Sequence, residues 1–242
     1  MSTAAPGVPP HAFANPAWHA LHGLHRHFAM RTAEACRYPA DVAPFGAVAS
    51  PGADALKALR SLLLPGESIW LFGEHDGLAD ELRCAERLEC LQMLLEPGGA
   101  PAPEPGPRVR RLTAADASAM VGLTDLAFPG FFRKRTCEMG SYYGVFEGDA
   151  LIAMGGERLM LEGLPEISGV CTHPDHRGQG YAQQLIGQLM REHQRDGLRS
   201  WLHVGAANLA AIALYERLGF RQSNRITLSR LVTQSPDVRG EH

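Results

Sequence analysis

Charge of one sign is scarce: 23 Lys and Arg stand against 26 Asp and Glu, a formal net charge of −3. That balance gives no general pull toward nucleic acid, and the densest basic run, Arg133-Lys134-Arg135, is short enough for an ordinary solvated face. Cysteine is sparse and irregular. Cys36, Cys84, Cys90, Cys137 and Cys171 form no CxxC pair, which argues against a disulfide framework and predicts reduced thiols. No stretch approaches the ~18 apolar residues of a membrane helix. Residues 1–10 have neither the basic nor the apolar region of a secretory signal. A cytoplasmic location is expected, with no nucleic-acid or membrane partner.

What is present is an ordinary globular composition, 45% hydrophobic and 20% charged, in a chain of 242 residues. That length suffices for one large domain or two modest ones. Proline and glycine concentrate in residues 97–107, where neither a helix nor a central strand is sustainable. The expected division is an N-terminal α/β lobe over 1–96, a linker over 97–107, a second domain over 108–232 and a flexible tail over 233–242.

In the first lobe, Trp18, Leu21, Leu24 and Phe28 have the spacing of one helical face. Residues 45–49 and 68–72 read as strands. Asp54 is placed to cap a helix carrying Leu56, Leu59 and Leu63, and residues 82–95 read as a further helix with Leu88, Leu91 and Leu95 on one side. His19, His22, His25 and His27 invite a metal reading, but steps of three residues rotate around a helix rather than converge. No metal is expected.

The second domain predicts a strand at 109–112, a capping box at Thr113 and Asp116, a hairpin across Glu147-Gly148-Asp149, and a strand at 167–172. A loop with two close glycines follows, then a helix marked by Ala182, Leu185, Ile186, Leu189 and Met190. Such a loop aims backbone N–H groups and a helix N-terminus at one point, which suits a phosphate. A dinucleotide fingerprint would need glycine where Gln183 stands, and no Gly-Lys-Ser/Thr is present for a nucleotide P-loop.

Arg177, Gly180 and Ala182 do satisfy R/Q-x-x-G-x-G/A. After a strand at 201–204 come Asn208, alanines 210, 211 and 213, Tyr215, Gly219 and Phe220, which match a second element, Asn…Ala-x-x-x-Tyr-x-x-x-Gly-Phe. On these two motifs the segment 109–231 resembles the GNAT superfamily of N-acetyltransferases. The resemblance implies a mixed, mostly antiparallel sheet flanked by helices, of α/β (α+β) class, preceded here by the smaller α/β lobe. It implies acetyl-CoA or another acyl-CoA as co-substrate and an amine, of a small molecule or a protein, as acceptor. The two-lobe layout also resembles glycine N-acyltransferase-like proteins, although residues 1–107 hold no second copy of the motif.

By the resemblance, the coenzyme meets Val170, Cys171, Thr172, Arg177, Gly178, Gln179, Gly180, Tyr181, Ala182 and Asn208. Tyr215 matches the tyrosine that protonates the departing thiolate. Glu166, eleven residues before Arg177, matches the offset of a glutamate base in histone acetyltransferase-type members; the bland alternative is a solvated strand-end carboxylate. Glu157 is a second candidate base. Cys171 reads as a small buried side chain rather than a nucleophile. A noncatalytic acyl-CoA-binding module remains the alternative function.

Overall fold

The computed structural model describes residues 10–78, 81–97, 102–104, 106 and 108–234. The reading of residues 1–9 as lacking a signal, most of the 97–107 linker and the tail beyond residue 234 lie outside the described residues.

The chain opens with short helices α1 (Pro10–Ala14) and α2 (Pro16–His22). A small antiparallel sheet follows, in the order β1 (Met30–Arg31), β2 (Ala35–Arg37), β3 (Gly46–Val48), covered by α3 (Ala53–Arg60). The helical stripe expected through Leu24 and Phe28 stops early. Helix α2 ends at His22, Leu24 is exposed, and Phe28 is buried from a 3-10 turn. Gly52, not Asp54, occupies the cap position of α3, and Asp54 lies within its first turn. Strand β4 (Ser68–Phe72) falls on the residues expected.

The largest departure is at residues 82–95, read above as a helix. They form β6 (Leu82–Leu95), hydrogen-bonded to β12 (Phe220–Thr233) on one side and β11 (Trp201–Gly205) on the other. Leu, Glu, Gln and Met favour helix locally, but propensity is a weak prior against two sheet partners. From Cys90 to Leu95 every residue is buried, the pattern of a strand covered on both faces.

Among the described residues the main sheet has nine strands. Its path is β4-β12-β6-β11-β10-β9-β8-β7, with β5 (Gly77–Leu78) added to β6. The remaining members are β7 (Val109–Arg111), β8 (Tyr142–Glu147), β9 (Ala150–Leu161) and β10 (Leu164–Thr172). Pairing is antiparallel except between β10 and β11. Residues on both sides of the 97–107 segment therefore share one sheet. Thr233, assigned above to the tail, pairs with Leu82 inside it.

Each face of the sheet has its own core. Helix α5 (Tyr181–Arg195) presses Leu185, Ile186, Leu189 and Met190 against Val145, Ile167 and Leu202. On the other face, Ala17, Ala20 and Leu21 of α2 join Phe45, Trp70, Leu159 and Trp201. Helix α4 (Ala117–Ala127) follows the predicted capping box of Thr113 and Asp116, and packs Met120 and Leu123 beside Met154 and Cys171. The histidine-rich segment is absorbed into packing. His22 stacks on Trp18, and His25 bridges the Tyr38 hydroxyl at 2.9 Å and the Met139 carbonyl at 3.0 Å.

Candidate active site

The site begins where two parallel strands part. β10 and β11 are in register only at Glu166↔Trp201 and Ile167↔Leu202. Beyond that point β11 stays with β6 as far as Gly205↔Cys90, while β10 stays with β9 through Cys171↔Met154 and Thr172↔Ala153. An irregularity between Ser168 and Cys171, with Gly169 at a φ of +65°, turns the strand away from its neighbour. The β11-facing edge of residues 170–172 is thus left without a ladder partner.

After Thr172 the chain makes a 3-10 turn (Pro174–His176), in which His173 Nδ1 accepts from the Asp175 N–H at 3.3 Å. Gly178 and Gly180 then adopt φ of +78° and +77°, the left-handed region that favours glycine, and Gly180 caps α5. No protein atom lies within 4 Å of where a Cβ would stand on either glycine. Opposite, Asn208 caps helix α6 (Leu209–Arg217) by accepting the Ala211 N–H at 3.2 Å. Between these walls is a cleft of about 650 Å³.

All ten residues assigned above to the coenzyme line this cleft: Val170, Cys171, Thr172, Arg177 through Ala182, and Asn208, with Tyr215 beside them. The cradle fits a pyrophosphate: glycine backbone, open space, a 15-residue helix behind it, and Arg177 exposed with no ion-pair partner among the described residues. Gln179 accepts a 2.9 Å hydrogen bond from the Tyr181 hydroxyl. Ala210, one of the alanines of the second motif, lines the cleft together with Leu214 and Arg217, which were not singled out with it as a face. Their i, i+4, i+7 spacing is the signal that identifies it. Ala127 and Phe128 reach the cleft from the end of α4, which no local pattern announces.

Burial, then the Glu166 charge, raises the Tyr215 phenol to about 12, so it remains protonated at neutral pH. Among the described residues its hydroxyl makes no hydrogen bond, and the ring is 9% exposed. Burial likewise raises the Cys171 thiol to about 12, which keeps it from acting as a thiolate.

Glu166 does not line the cleft, and it is not a solvated carboxylate. It is 0% exposed. Oε1 accepts from Arg158 Nη2 and His203 Nδ1, each at 2.7 Å, and Oε2 accepts from Arg158 Nε at 3.0 Å and the Leu159 N–H at 3.1 Å. Burial pushes its carboxyl up, but Arg158 and the His203 contact outweigh it and hold the group at about 2. A carboxylate so held is a poor proton acceptor. Burial lowers His203, and the Gln92 amide donates to its Nε2 at 3.0 Å, so the neutral ring donates from Nδ1.

Glu157 is engaged as well. It accepts from His193 Nε2 at 2.7 Å and the Ser141 N–H at 2.6 Å, and His193 Nδ1 meets Ser200 Oγ at 2.7 Å. Neither carboxylate lines the cleft.

A parted pair of parallel strands beside a glycine-cradled helix N-terminus forms a groove whose shape and chemistry suit an extended, phosphate-bearing ligand. The acetyltransferase (GNAT) family model matches residues 112–220. A solved GNAT-family protein from Novosphingobium aromaticivorans is 31% identical, with 93% of this chain and 100% of that chain covered and a TM-score of 0.83. The chain belongs to the GNAT family of acetyltransferases. A GCN5-related N-acetyltransferase from Kribbella flavida shares the fold at 18% identity, covering 92% of this chain and 95% of that chain with a TM-score of 0.60. The ribosomal protein bS18-alanine N-acetyltransferase of Escherichia coli is 42% identical over 58 residues, 24% of this chain. The match spans only 39% of that relative's length.

Proposed function

We propose that this protein moves an acetyl or other short acyl group from acyl-CoA to a primary amine by direct transfer within a ternary complex. The observation that carries the reading is Tyr215: a protonated, unpartnered hydroxyl on the same cleft as the glycine cradle and the free strand edge. In the proposed step the neutral amine attacks the thioester carbonyl. The C–N bond forms, the C–S bond breaks, Tyr215 gives its proton to the departing sulfur, and the proton shed by the attacking nitrogen restores the phenol, directly or through water. Backbone N–H groups of Val170 and Thr172 are available to the developing oxyanion because no strand takes them on that side. Transfer to an amine is also what the name of the Escherichia coli relative describes.

The test is thermal stability and thiol release with acetyl-CoA, longer acyl-CoAs, free CoA, NAD and ATP. A ligand bound only by the folded state, at a hundredfold excess over Kd, stabilises it by about 2.7 kcal/mol. Acyl-CoAs and CoA are expected to stabilise, NAD and ATP are not, and thiol release requires an amine. Gly180→Val forces a β-branched residue into a left-handed conformation and fills the cradle. It is expected to remove the acyl-CoA response while a cooperative unfolding transition persists. An unchanged response in that variant would refute the phosphate assignment.

No carboxylate lines the cleft among the described residues. The one imidazole on the cleft among the described residues is His176; if it takes no proton from the amine, the amine arrives neutral and kcat/KM rises with pH up to the pKa of the acceptor itself, also in His176→Ala. A plateau already reached by pH 5 would restore a carboxylate base.

A further inference from the structure

Beside the cleft is a second, smaller cavity of about 20 Å³, room for one small polar group and no ring. Phe128 lines both spaces. Aromatic walls come from Phe131, stacked on Trp70 at 5.1 Å, and Phe132, edge-on to Tyr142 at 5.5 Å. Apart from Thr136, whose hydroxyl is engaged by the Val42 carbonyl and the Arg133 N–H, the polar lining is Arg158, Ser168 and Tyr142.

Each of these three carries a group without a hydrogen-bond partner among the described residues. Arg158 spends Nε and Nη2 on Glu166, which leaves Nη1. Its guanidinium lies 4.7 Å from the centre of the Phe45 ring, and 13% of its side chain is accessible. Ser168 Oγ is half-buried, and Tyr142, only 2% exposed, has a bare hydroxyl. None of the three is sealed from solvent, since Arg191 Nη1 is the one buried side-chain atom left without a partner among the described residues; a ligand entering here would take the place of water on them.

The charge balance decides which acceptor fits. Arg158 is already neutralised by Glu166, and His203 is neutral. A carboxylate in the cavity would leave one uncompensated negative charge under apolar cover. A neutral carbonyl oxygen takes the same donors with no such penalty.

The N-terminal segment holds the cavity in shape. Thr136 Oγ1 donates to the Val42 carbonyl at 2.6 Å, the Arg135 N–H to the Asp41 carbonyl at 2.8 Å, and His25 holds the Met139 carbonyl. The loop between α4 and β8 is thus pinned by residues ahead of the family match.

We propose that this cavity is the acceptor subsite and that it reads an amide carbonyl next to the reacting amine, so that the substrates are α-amino amides rather than free amino acids or plain alkylamines. The inference rests on the transfer reading above. In it, Arg158 Nη1, Ser168 and Tyr142 bind the carbonyl while the amine extends past Phe128 to the cleft.

The experiment compares acetyl-CoA-dependent thiol release with glycinamide against glycine, alaninamide against alanine, and propylamine, with rates expressed per neutral amine. The amides are expected to lead in kcat/KM by about tenfold, the net worth of one hydrogen bond to this lining. Tyr142→Phe and Ser168→Ala remove single hydroxyls and leave the Arg158–Glu166 pair intact. Each is expected to raise KM for alaninamide about three- to tenfold and leave propylamine unaffected. Equal use of carboxylates or alkylamines would overturn the inference, as would hydroxyl deletions that alter acyl-length preference alone. If no amine is turned over although acetyl-CoA still raises Tm, the subsite falls and the coenzyme reading stands. If acetyl-CoA gives no stabilisation, the transfer reading fails and takes the inference with it.

Discussion

Arg158→Ala is expected to lower the unfolding free energy by about 3–5 kcal/mol in urea titration, because it strands a buried carboxylate. Glu166 has no exposure and no other cation within its hydrogen-bond set; His203, the remaining side-chain partner, is neutral. A second variant separates charge from packing. Arg158→Met with Glu166→Gln is expected to recover part of the loss, since no buried charge remains and the amide oxygen still accepts from either His203 or the Leu159 N–H. A double variant as unstable as the single one would show that Arg158 acts through its packing on Phe45 instead.

The pH dependence of stability tests the same network. The Glu166 carboxyl falls from an ordinary 4.5 to about 2 on folding, as the Arg158 and His203 contacts overcome burial. Its contribution is present above pH 4.5 and is lost as pH falls toward 2. In Arg158→Ala, burial without the guanidinium raises that pKa above 4.5, and the sign reverses: stability from this group then decreases as pH rises. His25, lowered by burial from 6.5 to about 4, adds an acid-side loss between those values in both proteins. Unfolding midpoints measured from pH 2 to 8 distinguish the two slopes.

Tyr215→Phe is expected to lower kcat about 10²-fold and to change the Kd for acetyl-CoA by less than about threefold. The phenol is buried enough to stay protonated and close enough to the open strand edge to line the same cleft. Its ring packs edge-on with Phe220 at 6.0 Å, a contact that phenylalanine retains. With no hydrogen bond to lose, stability should move by less than about 1 kcal/mol. Unchanged turnover would reduce Tyr215 to a packing residue and favour the noncatalytic acyl-CoA-binding alternative.

Much of the cleft was legible because its parts are contiguous. Arg177, Gly178 and Gly180 carry their own conformational demand, and the helix after them announces itself through Leu185, Ile186 and Leu189. Asn208, Ala211 and Tyr215 lie on one short helix whose cap and end are both marked. Glu166 was misread because offset along a strand gives no information about which face is covered. Arg158 and His203, on β9 and β11, convert that position into an ion-paired interior.

Residues 82–95 failed for the complementary reason. Their local preferences describe a helix, and only the presence of β11 and β12 on either side makes a fully paired strand the lower free-energy state. By itself the sequence determined the glycine loop ahead of α5, the α6 element and the GNAT resemblance, since φ requirements, caps and helical periods are local properties. The tertiary structure alone decided where the carboxylates are buried, which segment completes the sheet, and that Phe128, Tyr142, Arg158 and Ser168 enclose one cavity. Those outcomes depend on charge compensation and strand pairing between residues far apart in the chain.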